Sequence, residues 1–130
     1  MRRAAMGLAR ILDPPAVLAT SPYARAAQTA VILAETFGGP DPEHLDLLTP
    51  EGEWKDLAAW LRERGDQRVA MVGHEPHLSG FACWLLGARG GALELKKGAA
   101  CLLDVAPGAE PGAAMLRWAL TPSQLRQLGK

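Results

Sequence analysis

The chain has 130 residues, 48% of them apolar and 22% charged, which suits a single globular domain with a core of its own. Its 14 basic and 14 acidic side chains cancel, which argues against a nucleic-acid partner held by a broad cationic face. No apolar run approaches the ~18 residues of a membrane span, and no leader pattern opens the chain, so a cytoplasmic protein with no membrane partner is expected.

Ala5, Leu8, Ala9 and Leu12 recur at helical spacing, which predicts a helix over Arg2 to Leu12. Asp13-Pro14-Pro15 stops it, because a residue before proline avoids the helical region. Ala16 to Thr20 is apolar without polar alternation, the pattern of a strand buried on both faces. Ser21-Pro22 reads as an N-cap followed by proline at the first helical position. The helix it opens carries Ala26, Ala30, Leu33 and Phe37 on one stripe and ends at Gly38-Gly39-Pro40. Leu45 to Leu48 is expected as a short strand. Trp54, Leu57, Ala58 and Leu61 mark a third helix, closed by Gly65. Arg68 to Gly73 is a second buried strand. Glu75-Pro76 then opens a helix with Leu78, Phe81, Ala82 and Leu85 inward, in which Gly80 costs up to ~1 kcal/mol relative to alanine.

After Gly87 to Gly91 the pattern changes. Leu93 to Leu95, Ala99 to Val105 and Ala114 to Leu120 read as strands, the last two forming a hairpin, and Thr121-Pro122 starts a terminal helix. Trp54, Trp60, Trp84 and Trp118 are expected in the core or between helices. Cys83 and Cys101, with no further thiol near either, are expected as free thiols in a reducing compartment. Helices alternating with buried strands give an α/β domain over residues 1–130, with a mainly parallel sheet covered on both faces and a hairpin near its end.

In such sheets ligands bind where strands end and the next helices begin. Two junctions carry notable residues. Arg25 falls in the first turn after Ser21-Pro22, where free N–H groups, the helix dipole and a planar five-donor cation all favour phosphate or carboxylate. His74, with Gly73 before it, leaves the second buried strand just ahead of a helix. Taken singly, Arg25 also reads as a plain surface arginine and His74 as a helix cap. If both strands are parallel, the two residues share one rim and outline a phosphoryl site. His74 and His77 form H-x-x-H, but no third ligand cluster accompanies them and Glu75 does not continue as H-E-x-x-H, so no metal is expected. Neither a P-loop, nor G-x-S-x-G, nor G-x-G-x-x-G is present. Lys96-Lys97 before Gly98 reads as a solvated turn, the alternative being added positive potential near the pocket.

The segment Ser21-Pro22-Tyr23-Ala24-Arg25-Ala26-Ala27-Gln28-Thr29-Ala30 resembles the S-P-x-x-R-A-x-Q-T-A segment of the histidine phosphatase superfamily. Val72-Gly73-His74-Glu75-Pro76 resembles its second-histidine segment. Leu95 to Ala99, Leu116 to Leu120 and Thr121-Pro122 resemble the small bacterial phosphohistidine phosphatase branch. The resemblance implies a three-layer α/β/α sandwich with a mainly parallel mixed sheet, like that of phosphoglycerate mutase. It implies a phosphatase acting on a phosphorylated protein, through its phosphohistidine, or on a small phosphate ester, with no cofactor and no metal. In that family a histidine of an Arg-His-Gly motif, at the end of the first strand, attacks phosphorus and forms a phosphohistidine that water hydrolyses. By the same resemblance Arg25 binds the phosphoryl oxygens and His74 stabilises their charge in the transition state.

The sequence departs from the family at the nucleophile. It contains no Arg-His-Gly, and His44 and His77 match no nucleophile position. The chain starts inside what is the family's first helix, so the family's first strand is missing and its central place in the sheet is expected to be a gap. Two expectations follow: a truncated phosphatase domain, inactive as written, or a non-catalytic module that binds phosphate or a phosphorylated partner. Glu51 lies in a loop where the family's acidic proton donor could sit.

Overall fold

The computed structural model describes every residue from Met1 to Lys130. The elements run α1 (Arg2–Ile11), β1 (Val17–Thr20), α2 (Ala24–Phe37), β2 (Glu43–His44), a 3-10 turn (Asp46–Leu48), α3 (Trp54–Arg62), β3 (Val69–Val72), α4 (His77–Leu86), β4 (Ala100–Val105), β5 (Ala114–Leu120) and α5 (Pro122–Leu128).

The apolar run of β1 is sealed on both sides. Leu18, Ala19 and Thr20 are all buried, as a strand without polar alternation requires. Ala19 joins a core made with Leu48 of the 3-10 turn, Leu57 and Ala58 of α3, and Phe81 and Leu85 of α4. Side chains alternate along a strand, so Leu18 and Thr20 turn to the opposite face. There α2 packs on β1 and β3, and α1 packs on α2 and α5. Helices thus cover both faces of a central parallel sheet, the α/β architecture that the alternation of elements predicts. No helix is long and apolar enough to cross a membrane.

The sheet is interrupted. β1 lies between β2 and β3, parallel to both, while β4 and β5 form a separate antiparallel ladder with a register shift at Leu102/Leu103. β3 is paired on one side only and is half-buried along its whole length. The hairpin is held instead by side chains: Leu103, Val105 and Ala114 pack against the core cluster.

Several local expectations are corrected. Leu45 to Leu48 is not a strand. The pairing with β1 falls on Glu43–His44, the Leu45 amide adds one more bond to the Thr20 carbonyl, and the chain then coils so that Leu48 can be buried. Leu93 to Leu95 forms no strand, because the β4–β5 ladder is two-stranded and offers no partner there. The buried side of α1 is Ala4, Ala5 and Gly7, rotated from the expected stripe toward α5, where Arg10 donates to the Leu128 and Lys130 carbonyls at 2.7 and 2.6 Å. Gly80 has a steric reason: the Trp54 ring occupies the space its Cβ would need, at 2.4 Å. All four tryptophans are half-buried rather than sealed in the core. Both cysteines are free thiols. Lys96 lies in a turn closed by the Ala99 amide on its carbonyl.

Candidate functional site

Because β1 and β3 are parallel and Thr20 stands opposite Val72, both strands end at the same rim. The Ser21 amide extends the ladder by one bond to the Val72 carbonyl, at 2.9 Å. Ser21 is therefore still tied to the sheet and lies two residues ahead of the position that caps α2, which corrects its expected role. Helix α2 begins at Ala24, after an N-cap Tyr23 that makes no side-chain cap bond. The buried Ser21 hydroxyl accepts from the Tyr23 amide at 3.2 Å and meets Nε2 of His74 at 2.8 Å.

His74 is half-buried just beyond β3. It does not cap α4 either, since that helix begins at His77 with Pro76 as its N-cap. The Glu75 carboxylate already serves the start of α4, accepting from the Ser79 hydroxyl and amide. The first turn of α2 has no such carboxylate, so its free N–H groups are the ones open to an anion. Arg25 is the second residue of that turn. It is exposed and takes part in none of the ion pairs of the chain.

Two further side chains complete the rim. The Tyr23 ring lies 5.2 Å from the His74 ring, and its hydroxyl donates to the Glu51 carboxylate at 3.2 Å. Hydrogen bonds from the backbone N–H of Glu51 and from the Thr49 and Tyr23 side chains hold the Glu51 carboxyl below the usual range, with the nearby His74 adding to the effect. The negative charge of Glu51 in turn raises the Tyr23 phenol above its ordinary value. The rim thus sets the His74 imidazole and the Tyr23 ring beside an anchored, ionised carboxylate, with the unpaired Arg25 in the helix turn that follows Tyr23.

Arg25 and His74, singled out from the sequence, both follow neighbouring strands, β1 and β3, at the same end of the sheet. The two histidines of H-x-x-H do not act together, since His77 bonds the Gly52 carbonyl while His74 bonds Ser21. His44 closes β2 in register with Thr20, which puts its backbone two strand spacings, roughly 10 Å, from β3. Sequence reasoning missed the linking role of Ser21 and the Tyr23–Glu51 contact. No local pattern announces the latter, which joins residues 28 apart in the chain. Concavities of about 160 Å³, beside Leu95 and Thr121, and about 410 Å³, beside Val105 and Ala114, lie away from these residues, and neither is lined by Arg25 or His74.

No family model matches the chain. Over 82 residues, 60% of its length, it is 40% identical to an uncharacterized protein of Picosynechococcus sp., and it spans about half (50%) of that curated relative. Among solved structures it is similar to the protein histidine phosphatase SixA complexed with tungstate, with a TM-score of 0.83 and 22% identity over 95% of this chain and 80% of that one. The likeness establishes the fold: the α/β arrangement described above is that of the SixA phosphatase.

Proposed function

We propose that this chain is a phosphatase-like domain of the histidine phosphatase superfamily whose rim binds a phosphoryl group. The substrate class is a cytoplasmic protein phosphohistidine or a small phosphate ester. Arg25 grips the phosphoryl oxygens with its planar fork, and the amides opening α2 add fixed donors. His74, oriented by Ser21, supplies positive charge as those oxygens become more negative in the transition state. The observation that carries this reading is the Ser21–His74 contact, which ties the ends of two parallel strands together with Arg25 one turn further on.

Turnover also needs a nucleophile within about 3–3.5 Å of phosphorus. Within these 130 residues His77 is buried on Gly52 and His44 belongs to the far strand. The 130-residue stretch by itself is therefore expected to bind phosphate with little or no release of product. That same observation favours the second reading, a non-catalytic phosphate-binding or interaction module.

Calorimetric titration with inorganic phosphate and with tungstate tests the shared core of both readings. Saturable binding that weakens roughly tenfold to a hundredfold in Arg25→Ala, the loss of one charged hydrogen bond of ~1.5–3 kcal/mol, is the expected result. Unchanged affinity in Arg25→Ala and in His74→Ala overturns the assignment. Steady phosphate release from a model ester separates the phosphatase from the binding module.

A further inference from the structure

We infer that His77 is a positioning residue for the rim: through the Gly52 carbonyl it fixes the turn that sets the Glu51 carboxylate against Tyr23. His77 is the first residue of α4 and is buried, with Nε2 at 2.7 Å from the Gly52 carbonyl oxygen. A carbonyl can only accept, so Nε2 carries a hydrogen whatever the state of Nδ1. That Nδ1 is buried and has no partner, so the ring's one polar contact is the bond to Gly52.

The contact is reciprocated. The Trp54 indole N–H donates to the His77 carbonyl at 3.2 Å, so the 52–54 segment both gives to and takes from the start of α4. Sliding the turn along the helix breaks both bonds at once. Gly52 is also pressed from behind, since a Cβ there would stand 2.0 Å from the Leu47 carbonyl oxygen. Glu51 immediately precedes this pinned glycine, and its carboxylate meets the Tyr23 hydroxyl, whose ring faces His74. The path runs from His77 through Gly52, Glu51 and Tyr23 to His74.

The inference rests on the proposed reading of the rim as an oxyanion site, where it has a purpose. A carboxylate loose beside such a site competes with the incoming anion for cations. Glu51 held on the tyrosine is not free to do so, and Arg25, two residues beyond Tyr23, takes part in no ion pair.

Tyr23 is the only tyrosine in the chain, so its phenol can be titrated by absorbance without interference. The charged groups that face it are Glu51, Asp46 and His74. The wild-type midpoint is expected above the ordinary ~10. Glu51→Gln should bring it down, and His77→Phe should bring it down in the same way. His77→Gln, whose amide N–H can still reach the Gly52 carbonyl, should restore it. A His77→Phe midpoint equal to wild type, or a Glu51→Gln midpoint that does not move, overturns the inference. Neither result touches the phosphate titrations of Arg25→Ala, so the two proposals fail separately. If circular dichroism shows that His77→Phe does not fold, ¹⁵N spectra of the wild-type imidazoles decide instead. A protected Nε2–H tautomer at His77 is expected, and an Nδ1–H tautomer overturns the inference.

Discussion

The hydroxyl of Ser21 and the imidazole of His74 meet at 2.8 Å, although 53 residues separate them in the chain. Their contact ties two strand ends together and holds the ring that faces Tyr23, the N-cap of α2. It also makes Ser21 a joint between sheet and site, satisfying the Tyr23 amide and His74 with one buried oxygen.

Replacing that oxygen should be felt in stability as well as in binding. Ser21→Ala leaves half-buried Nε2 of His74 without a protein partner, and a loss of about 1–3 kcal/mol in urea unfolding is expected. Phosphate affinity should fall too, because the ring is no longer held. An unchanged unfolding midpoint would show that the hydroxyl contributes nothing.

Gly80→Ala discriminates between helix propensity and packing. Propensity alone predicts a gain of about 1 kcal/mol. With the Trp54 ring 2.4 Å from the new methyl group, overpacking should dominate and destabilise the fold by about 1–3 kcal/mol. Thermal unfolding of the variant gives the sign directly.

Leu57 is fully buried between α3 and the sheet, whereas Val31 on α2 is 47% exposed. Leu57→Ala should therefore cost about 2–5 kcal/mol in chemical denaturation. Val31→Ala should stay within about 0.5 kcal/mol of wild type. Equal effects at the two positions would contradict the placement of the core on α3 and α4.

Acid should loosen the rim through Glu51. Its carboxyl is held below the ordinary value of ~4.3 when folded, so the unfolded chain takes up the proton first. The stabilising contribution is complete above that ordinary value and is lost as pH falls through the folded one. Stability measured between about pH 5 and pH 2 should decline less steeply in Glu51→Gln than in wild type. Parallel curves for the two proteins would remove Glu51 from the account.

Much of this was legible from periodicity and punctuation. The unbroken apolar stretch of β1 announced its burial on both faces, and the proline and glycine pairs marked where α1 and α2 stop. Arg25 and His74 could be picked out because each follows an apolar strand shortly before or within the opening turn of a helix. The errors arose where tertiary demand overrode local signal. Ser21 reads as a cap, but the chain stays with the sheet through Ser21 and α2 opens only at Ala24, leaving the hydroxyl to hold His74. Leu45 to Leu48 looked extended, but burying Leu48 needed a coil. Leu93 to Leu95 had the composition of a strand without a neighbour to pair with. Contacts such as Tyr23 with Glu51, or His77 with Gly52, join loops that no sequence period relates.

The interruption between the parallel ladder and the β4–β5 ladder divides the molecule into units that can open separately. No backbone ladder bonds hold the hairpin to the rest, so its amides should lose protection against solvent deuterium through a local opening well below the free energy of global unfolding. Those of β1, hemmed in by β2 and β3, should persist to the global limit. The unpaired flank of β3 is also a template for another extended backbone, so concentrated solutions should associate edge to edge more readily than those of a protein with a continuous sheet.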